Sequence, residues 1–115
     1  MGKLISGKLS THILDTSKGK PAAGVKVELF KVDGFGESTL VTETKTNADG
    51  RTDQPILHGE AFEAATYILH FHIGEYFGEG LFDVVPIRFV VQDASANYHV
   101  PLVCTPWSYS TYRGS

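Results

Sequence analysis

Tyr67-Ile-Leu-His-Phe-His-Ile73 decides the fold of this chain. Tyr67, Leu69, Phe71 and Ile73 alternate with Ile68, His70 and His72. An apolar side chain at every second position marks a strand with one buried face, whereas an amphipathic helix repeats every 3.6 residues. The same period recurs on both sides of this stretch. Val25, Val27 and Leu29 alternate with Lys26, Glu28 and Phe30. Val85, Ile87, Phe89 and Val91 alternate with Pro86, Arg88 and Gln92, and Tyr98, Val100, Leu102 and Cys104 with His99, Pro101 and Val103. Leu9–Leu14 and Ser108–Tyr112 add further strands, with a weaker one at Thr39–Thr46.

Turn residues separate the strands: Asp15-Thr-Ser-Lys-Gly-Lys-Pro21, Asp33-Gly-Phe-Gly36 and Asn47-Ala-Asp-Gly50. Two segments are short enough for a turn or two of helix, Glu60–Ala65 and Gly74–Gly80. Seven or eight short strands in one unit predict an all-β, antiparallel sandwich. The chain's 115 residues fit one domain. The expected boundaries are a disordered segment at 1–8 and a sandwich domain at 9–115.

Composition narrows the function. Ten Lys and Arg against thirteen Asp and Glu leave a net charge of −3, against the basic excess of a nucleic-acid or anionic-membrane binder. No apolar run is long enough for a transmembrane helix or a secretory signal, so the expected location is cytoplasmic. Met1-Gly-Lys-Leu-Ile-Ser6 fits only the loose myristoylation pattern. The single cysteine, Cys104, excludes an intrachain disulfide and any multi-cysteine metal site, and its apolar strand predicts a buried, inert thiol.

Five histidines are the obvious candidates for proton transfer near neutral pH. His12 and His99 lie on strands, and His99 points away from the apolar face of Tyr98, Val100 and Leu102. His70 and His72 share a face and supply at most two metal ligands with no third nearby; a solvent-facing sheet surface is the expectation. His58 reads as a loop residue. Arg51 follows the Asp49-Gly50 turn, and Arg113 lies near the end of the sequence; each offers a planar guanidinium for oxygen-rich ligands. Neither a nucleophile elbow, a P-loop nor a His-Glu-x-x-His helix is present.

Three motifs go further. Tyr112-Arg-Gly-Ser115, Ser10-Thr-His-Ile-Leu-Asp15 followed by Gly19-Lys-Pro-Ala22, and Asp49-Gly-Arg-Thr-Asp53 stand in an order that resembles the 5-hydroxyisourate hydrolases, the enzymatic branch of the transthyretin-like family. The resemblance runs from Leu9 to Ser115. It implies a sandwich of two four-stranded sheets with one short helix. It also implies a homotetramer with active sites at the dimer–dimer interface, and no metal or organic cofactor. The implied reaction opens 5-hydroxyisourate at its N1–C6 bond to 2-oxo-4-hydroxy-4-carboxy-5-ureidoimidazoline, in urate (purine) degradation. By the same resemblance His12 and His99 activate water and shuttle protons, and Arg51 binds substrate and stabilises charge. Tyr112 hydrogen-bonds the ring or the water, and Ser115 contributes its hydroxyl or a terminal carboxylate. His12, Arg51 and Tyr112 are also the expected substrate contacts. The hormone-carrier branch shares Ser-Tyr-Ser-Thr but continues with apolar residues, so Tyr112-Arg-Gly-Ser115 favours the hydrolases over a small-ligand carrier or an adhesive sandwich. Ile13 is a mild variation, and His70 and His72 belong to no signature of the family.

Overall fold

In the computed structural model, which describes residues 7–115, the alternating segments form β1 (Lys8–Ser10), β2 (Ile13–Asp15), β3 (Lys20–Pro21), β4 (Lys26–Val32), β5 (Ser38–Lys45), β6 (Leu57–His58), β7 (Ala65–Phe71), β8 (Val85–Val91), β9 (Tyr98–His99), β10 (Leu102–Cys104) and β11 (Tyr109–Thr111). The sheet β5-β4-β7-β8 is antiparallel throughout and forms one layer. Opposite it lies the four-stranded sheet β11-β10-β2-β3, accompanied by the three-stranded β6-β1-β9.

These two smaller sheets are successive parts of the same extended runs. β1 and β2 belong to Leu9–Asp15, whose burial alternates without a break, and β9 and β10 belong to Tyr98–Cys104. The interruption falls at Pro101, which has no N–H to give to the ladder. Backbone bonds from Val100 N to the Ser10 carbonyl (2.9 Å) and from Leu102 N to the His12 carbonyl (3.0 Å) carry the chain across this seam. The buried Thr11 hydroxyl adds a bond to the Val100 carbonyl (2.7 Å). The expectation of a purely antiparallel sandwich is corrected here: β1 pairs parallel with β9, and β2 with β10. Strands this far apart in sequence are not joined by a hairpin, so either direction is open to them.

The core follows the period of two. Val25, Val27, Leu29, Tyr67, Leu69 and Phe71 are fully buried against Leu9, Ile13, Leu102 and Cys104. Full burial of such side chains stabilises by about 1.5–3 kcal/mol each. Ile73 is also buried, but as the first residue of the helix α1 (Ile73–Phe77), because the strand stops at Phe71. Of the two helical candidates, α1 lies at the second, stopped by Gly78 in the left-handed region (φ 72°). The first is a single 3₁₀ turn, Gly59–Ala61. His58 ends β6 and does not lie in a loop. Gly7 and Lys8, assigned by sequence to the disordered segment, are part of the fold: Gly7 N bonds the Ala94 carbonyl (2.9 Å) and Lys8 opens β1. The rest of that segment, and the myristoylation pattern, lie outside the described residues. No helix among the described residues is long and apolar enough to cross a membrane.

Asp15 ties the two layers together. Buried at the end of β2, its Oδ1 accepts from the Ser17 amide (3.0 Å), the Ser17 hydroxyl (2.5 Å) and the Lys18 amide (3.2 Å), and its Oδ2 from the Tyr76 hydroxyl of α1 (2.8 Å). Burial alone would raise its pKa. The hydrogen bonds from Ser17, Tyr76 and Lys18 outweigh that and hold the carboxyl below its ordinary value. Burial, and the bond to Asp15, push the Tyr76 phenol up to about 12. A carboxylate with a depressed folded-state pKa stabilises the fold above the unfolded value of 3.8, and that contribution is lost as pH falls through the folded value. Asp15→Asn is expected to cost about 2 kcal/mol at neutral pH, the scale of a charged hydrogen bond, with the gap to the native chain closing on acidification. Urea unfolding at neutral pH and near pH 3 measures both.

Candidate active site

The seam at Pro101 carries the site. β1 and β9 pair in register, Leu9 with Tyr98 and Ser10 with His99. Leu9 and Tyr98 face the core, so Ser10 and His99 must face outward together, and the unbroken alternation turns Lys8 and His12 the same way. The Ser10 hydroxyl stands 2.8 Å from His99 Nδ1.

The tail returns to the same place. Gly114 N bonds the His99 carbonyl (2.8 Å) in an isolated antiparallel bridge. A Cβ at Gly114 would lie 2.5 Å from His99 Cδ2, so only glycine lets the tail pass this close to the ring. Arg113 anchors the approach, with its Nη2 on the Asn97 carbonyl (3.0 Å) and its guanidinium 4.1 Å from the centre of the Tyr98 ring. Arg113 is thus a fastening for the tail, and Ser115 comes to lie beside His99.

Arg51 is delivered by the Asn47–Arg51 turn. The Asn47 side-chain oxygen accepts from the amides of Asp49 (2.9 Å) and Arg51 (3.2 Å), as an Asx-turn does. Gly50 has φ 76°, and its carbonyl accepts from Ile13 N (2.8 Å). A Cβ there would strike the Ile13 carbonyl and approach His12 Cδ2 to 3.2 Å. The glycine therefore clamps the turn on β2 beside His12, whose Nε2 donates to the Asp49 carbonyl (2.8 Å).

A cavity of about 460 Å³ opens on this face, lined by Lys8, Ser10, Arg51, Asn97, His99 and Ser115 among others. Burial lowers the pKa of His99, and the nearby Arg51 guanidinium lowers it further. The ring is accordingly neutral near pH 7, with Nδ1 taken by Ser10. The arrangement offers a neutral imidazole, a permanent cation and a hydroxyl around one space large enough for a small planar molecule.

Of the five expected residues, His12 stands on the same strand face without lining the cavity, and Arg51, His99 and Ser115 line it. Tyr112 does not. Tyr112 follows the end of β11 and borders a separate cavity of about 340 Å³ with Arg88, Tyr98 and Arg113, which neither Ser108 nor Ser110 lines. It is exposed, at the edge of its sheet. His70 and His72 occupy neither cavity wall of this face. His72 donates to Glu28 (2.5 Å), and His70 lies 3.9 Å from the same oxygen, so the pair is half-buried around a carboxylate and does not face open solvent. The hydrogen bond from His72 holds the Glu28 carboxyl below its usual range. Among the described residues no three His, Cys, Asp or Glu side chains gather as a metal site. Cys104 is buried, which pushes its thiol up to about 11. Ser10 and Lys8 were missed by sequence reasoning, although they share the parity of His12.

The sequence profile of the HIUase/Transthyretin family matches residues 9–114. A 5-hydroxyisourate hydrolase of Deinococcus radiodurans is 54% identical over 114 residues, 93% of this chain and 95% of that protein. The solved 5-hydroxyisourate hydrolase of Klebsiella pneumoniae superposes with a TM-score of 0.79 at 35% identity, covering 95% of this chain and 94% of the other. The crystal structure of an (S)-allantoin synthase matches with a TM-score of 0.90 at 38% identity; it covers 97% of this chain, which spans 45% of that longer protein.

The electrostatics are testable in solution. His99 is expected to titrate below the ordinary histidine value of 6.5, and Arg51→Gln is expected to raise its midpoint by removing the neighbouring cation. Imidazole proton shifts followed by NMR across pH 4–8 give both midpoints.

Proposed function

The chain belongs to the HIUase/Transthyretin family, and from that premise we propose that it hydrolyses 5-hydroxyisourate to 2-oxo-4-hydroxy-4-carboxy-5-ureidoimidazoline, a step of urate degradation. One observation carries the reading: a neutral His99, the Arg51 guanidinium and the Ser115 side chain border a single cavity. A carrier of apolar ligands has no need of a charged, histidine-lined wall, and nothing in the site favours an adhesive module.

In the proposed mechanism His99 takes a proton from water through its unbonded Nε2. The water oxygen adds to C6 of the substrate, and Arg51 stabilises the oxyanion that forms. The N1–C6 bond then breaks, N1 leaves with the proton carried by His99, and C6 becomes the new carboxyl group. His12 has its Nε2–H committed to the Asp49 carbonyl, which supports a role in binding, and the proposal takes His99, which lines the cavity, as the base. Ser115 hydrogen-bonds the ring. These steps call on side chains alone, with no cofactor.

Tyr112 enters through assembly. It is exposed beside β11 and β8, which are edge strands bearing exposed Tyr109 and Val90. Paired edges of this kind are normally covered. We infer a homotetramer in which these edges meet and Tyr112 approaches substrate across a subunit interface. The proposal includes a cytoplasmic location, where Cys104 stays a free thiol.

His99→Ala and Arg51→Ala are each expected to lower turnover about 10²-fold or more, the scale of a lost base or oxyanion partner, while unfolding hardly changes. His70→Ala is expected to stay within a few-fold of the native rate. An absorbance assay with freshly generated substrate measures all of these. Light scattering is expected to give the mass of four chains, and a fully active monomer would refute the assembly.

A further inference from the structure

The ring of His99 is held on two sides, and the two contacts differ in kind. Gly114 packs against its Cδ2 edge, which fixes position but sets no proton. Ser10 meets Nδ1 at 2.8 Å, within ordinary hydrogen-bond distance, where its hydroxyl can accept from Nδ1–H or donate to a bare Nδ1, and a His99 that acts as base through Nε2 requires the first. We propose that Ser10 is a positioning residue that holds His99 as the Nδ1–H tautomer, leaving the Nε2 lone pair open toward the cavity; this deepens the hydrolase reading and rests on it.

Three physical points carry the inference. First, the location of the imidazole proton is set by the hydrogen bond at the other nitrogen. A serine oxygen accepts from Nδ1–H equally before and after Nε2 takes up a proton, so the bond need not break during turnover. Second, the partner is neutral. A carboxylate in this position would favour imidazolium and raise the pKa, whereas a hydroxyl can accept from Nδ1–H without adding charge. Burial and the Arg51 guanidinium remain free to keep the ring unprotonated. Third, the placement is built into the backbone. Ser10 and His99 are direct partners in a parallel register, the Ser10 carbonyl accepts from Val100 N (2.9 Å), and the flanking Leu9 and Tyr98 are buried. The backbone thereby holds the Ser10 Cα opposite that of His99. Lys8, on the same face, lines the same cavity.

The test uses the full-length protein and reads the tautomer apart from activity. Long-range ¹H–¹⁵N correlation of the imidazoles is expected to show His99 protonated at Nδ1 in the native chain. In Ser10→Ala it should move to Nε2–H or a mixture of the two forms, and Ser10→Thr should restore it. In the absorbance assay kcat is expected to fall about 10-fold in Ser10→Ala with KM little changed, part of the 10²–10⁴ that a general base contributes, and to recover in Ser10→Thr. A native His99 protonated at Nε2, or a tautomer unmoved in Ser10→Ala, overturns the inference whatever the rates. A native chain with the Nδ1–H tautomer but no hydrolysis of 5-hydroxyisourate would overturn the hydrolase reading and leave the role of Ser10 in setting the tautomer intact.

Discussion

The site depends on the parallel pairing of β1 with β9. That register sets Leu9 beside Tyr98 inside the sandwich and Ser10 beside His99 outside it. A slip of one residue would reverse both pairs and bury the polar one, at a cost no core of this size would tolerate. The same register brings the C-terminal segment within reach, because Gly114 can bond the His99 carbonyl only while His99 keeps this outward turn. Catalytic geometry and core packing are therefore one constraint.

Pro101 gives that constraint its local form. By withholding an N–H it interrupts the sheet between β9 and β10, and the neighbouring Thr11 hydroxyl and the backbone bonds at Ser10 and His12 bridge the gap. The Asn47–Arg51 turn is clamped to β2 just beyond the break, at Gly50. His99, Arg51 and Ser115 thus reach one cavity from three separate segments, which is why no compact catalytic motif stands in the sequence.

What was legible followed from local periodicity. Parity alone turns His99 away from Tyr98 and Val100, and the Asp49-Gly50 turn marks where Arg51 projects. The motif resemblance assigned their chemistry. What was not legible lay across the chain. Parallel pairing of β2 with β10 joins residues about as far apart as the chain allows, and no local pattern encodes direction. Glu28 sits opposite His70 in the β4–β7 register, 44 positions from its hydrogen-bond partner His72, so the histidine pair read as an open face when it surrounds a carboxylate. Tyr112 lies one residue past the end of β11 and borders a different cavity within the single chain, a position that a period of two, which holds only inside a strand, does not reach. Lys8 was set aside with an unmatched head although it begins β1.

A neutral His99, kept so by burial and by the Arg51 guanidinium, is the proposed base for 5-hydroxyisourate hydrolysis. The most direct measurement is the pH dependence of kcat/KM for the native protein with freshly generated substrate. The account predicts a plateau at neutral pH and a single acidic limb whose midpoint lies below 6.5 and coincides with the NMR titration of His99. A rate that rises on acidification, or a limb that does not follow the His99 midpoint, would contradict it.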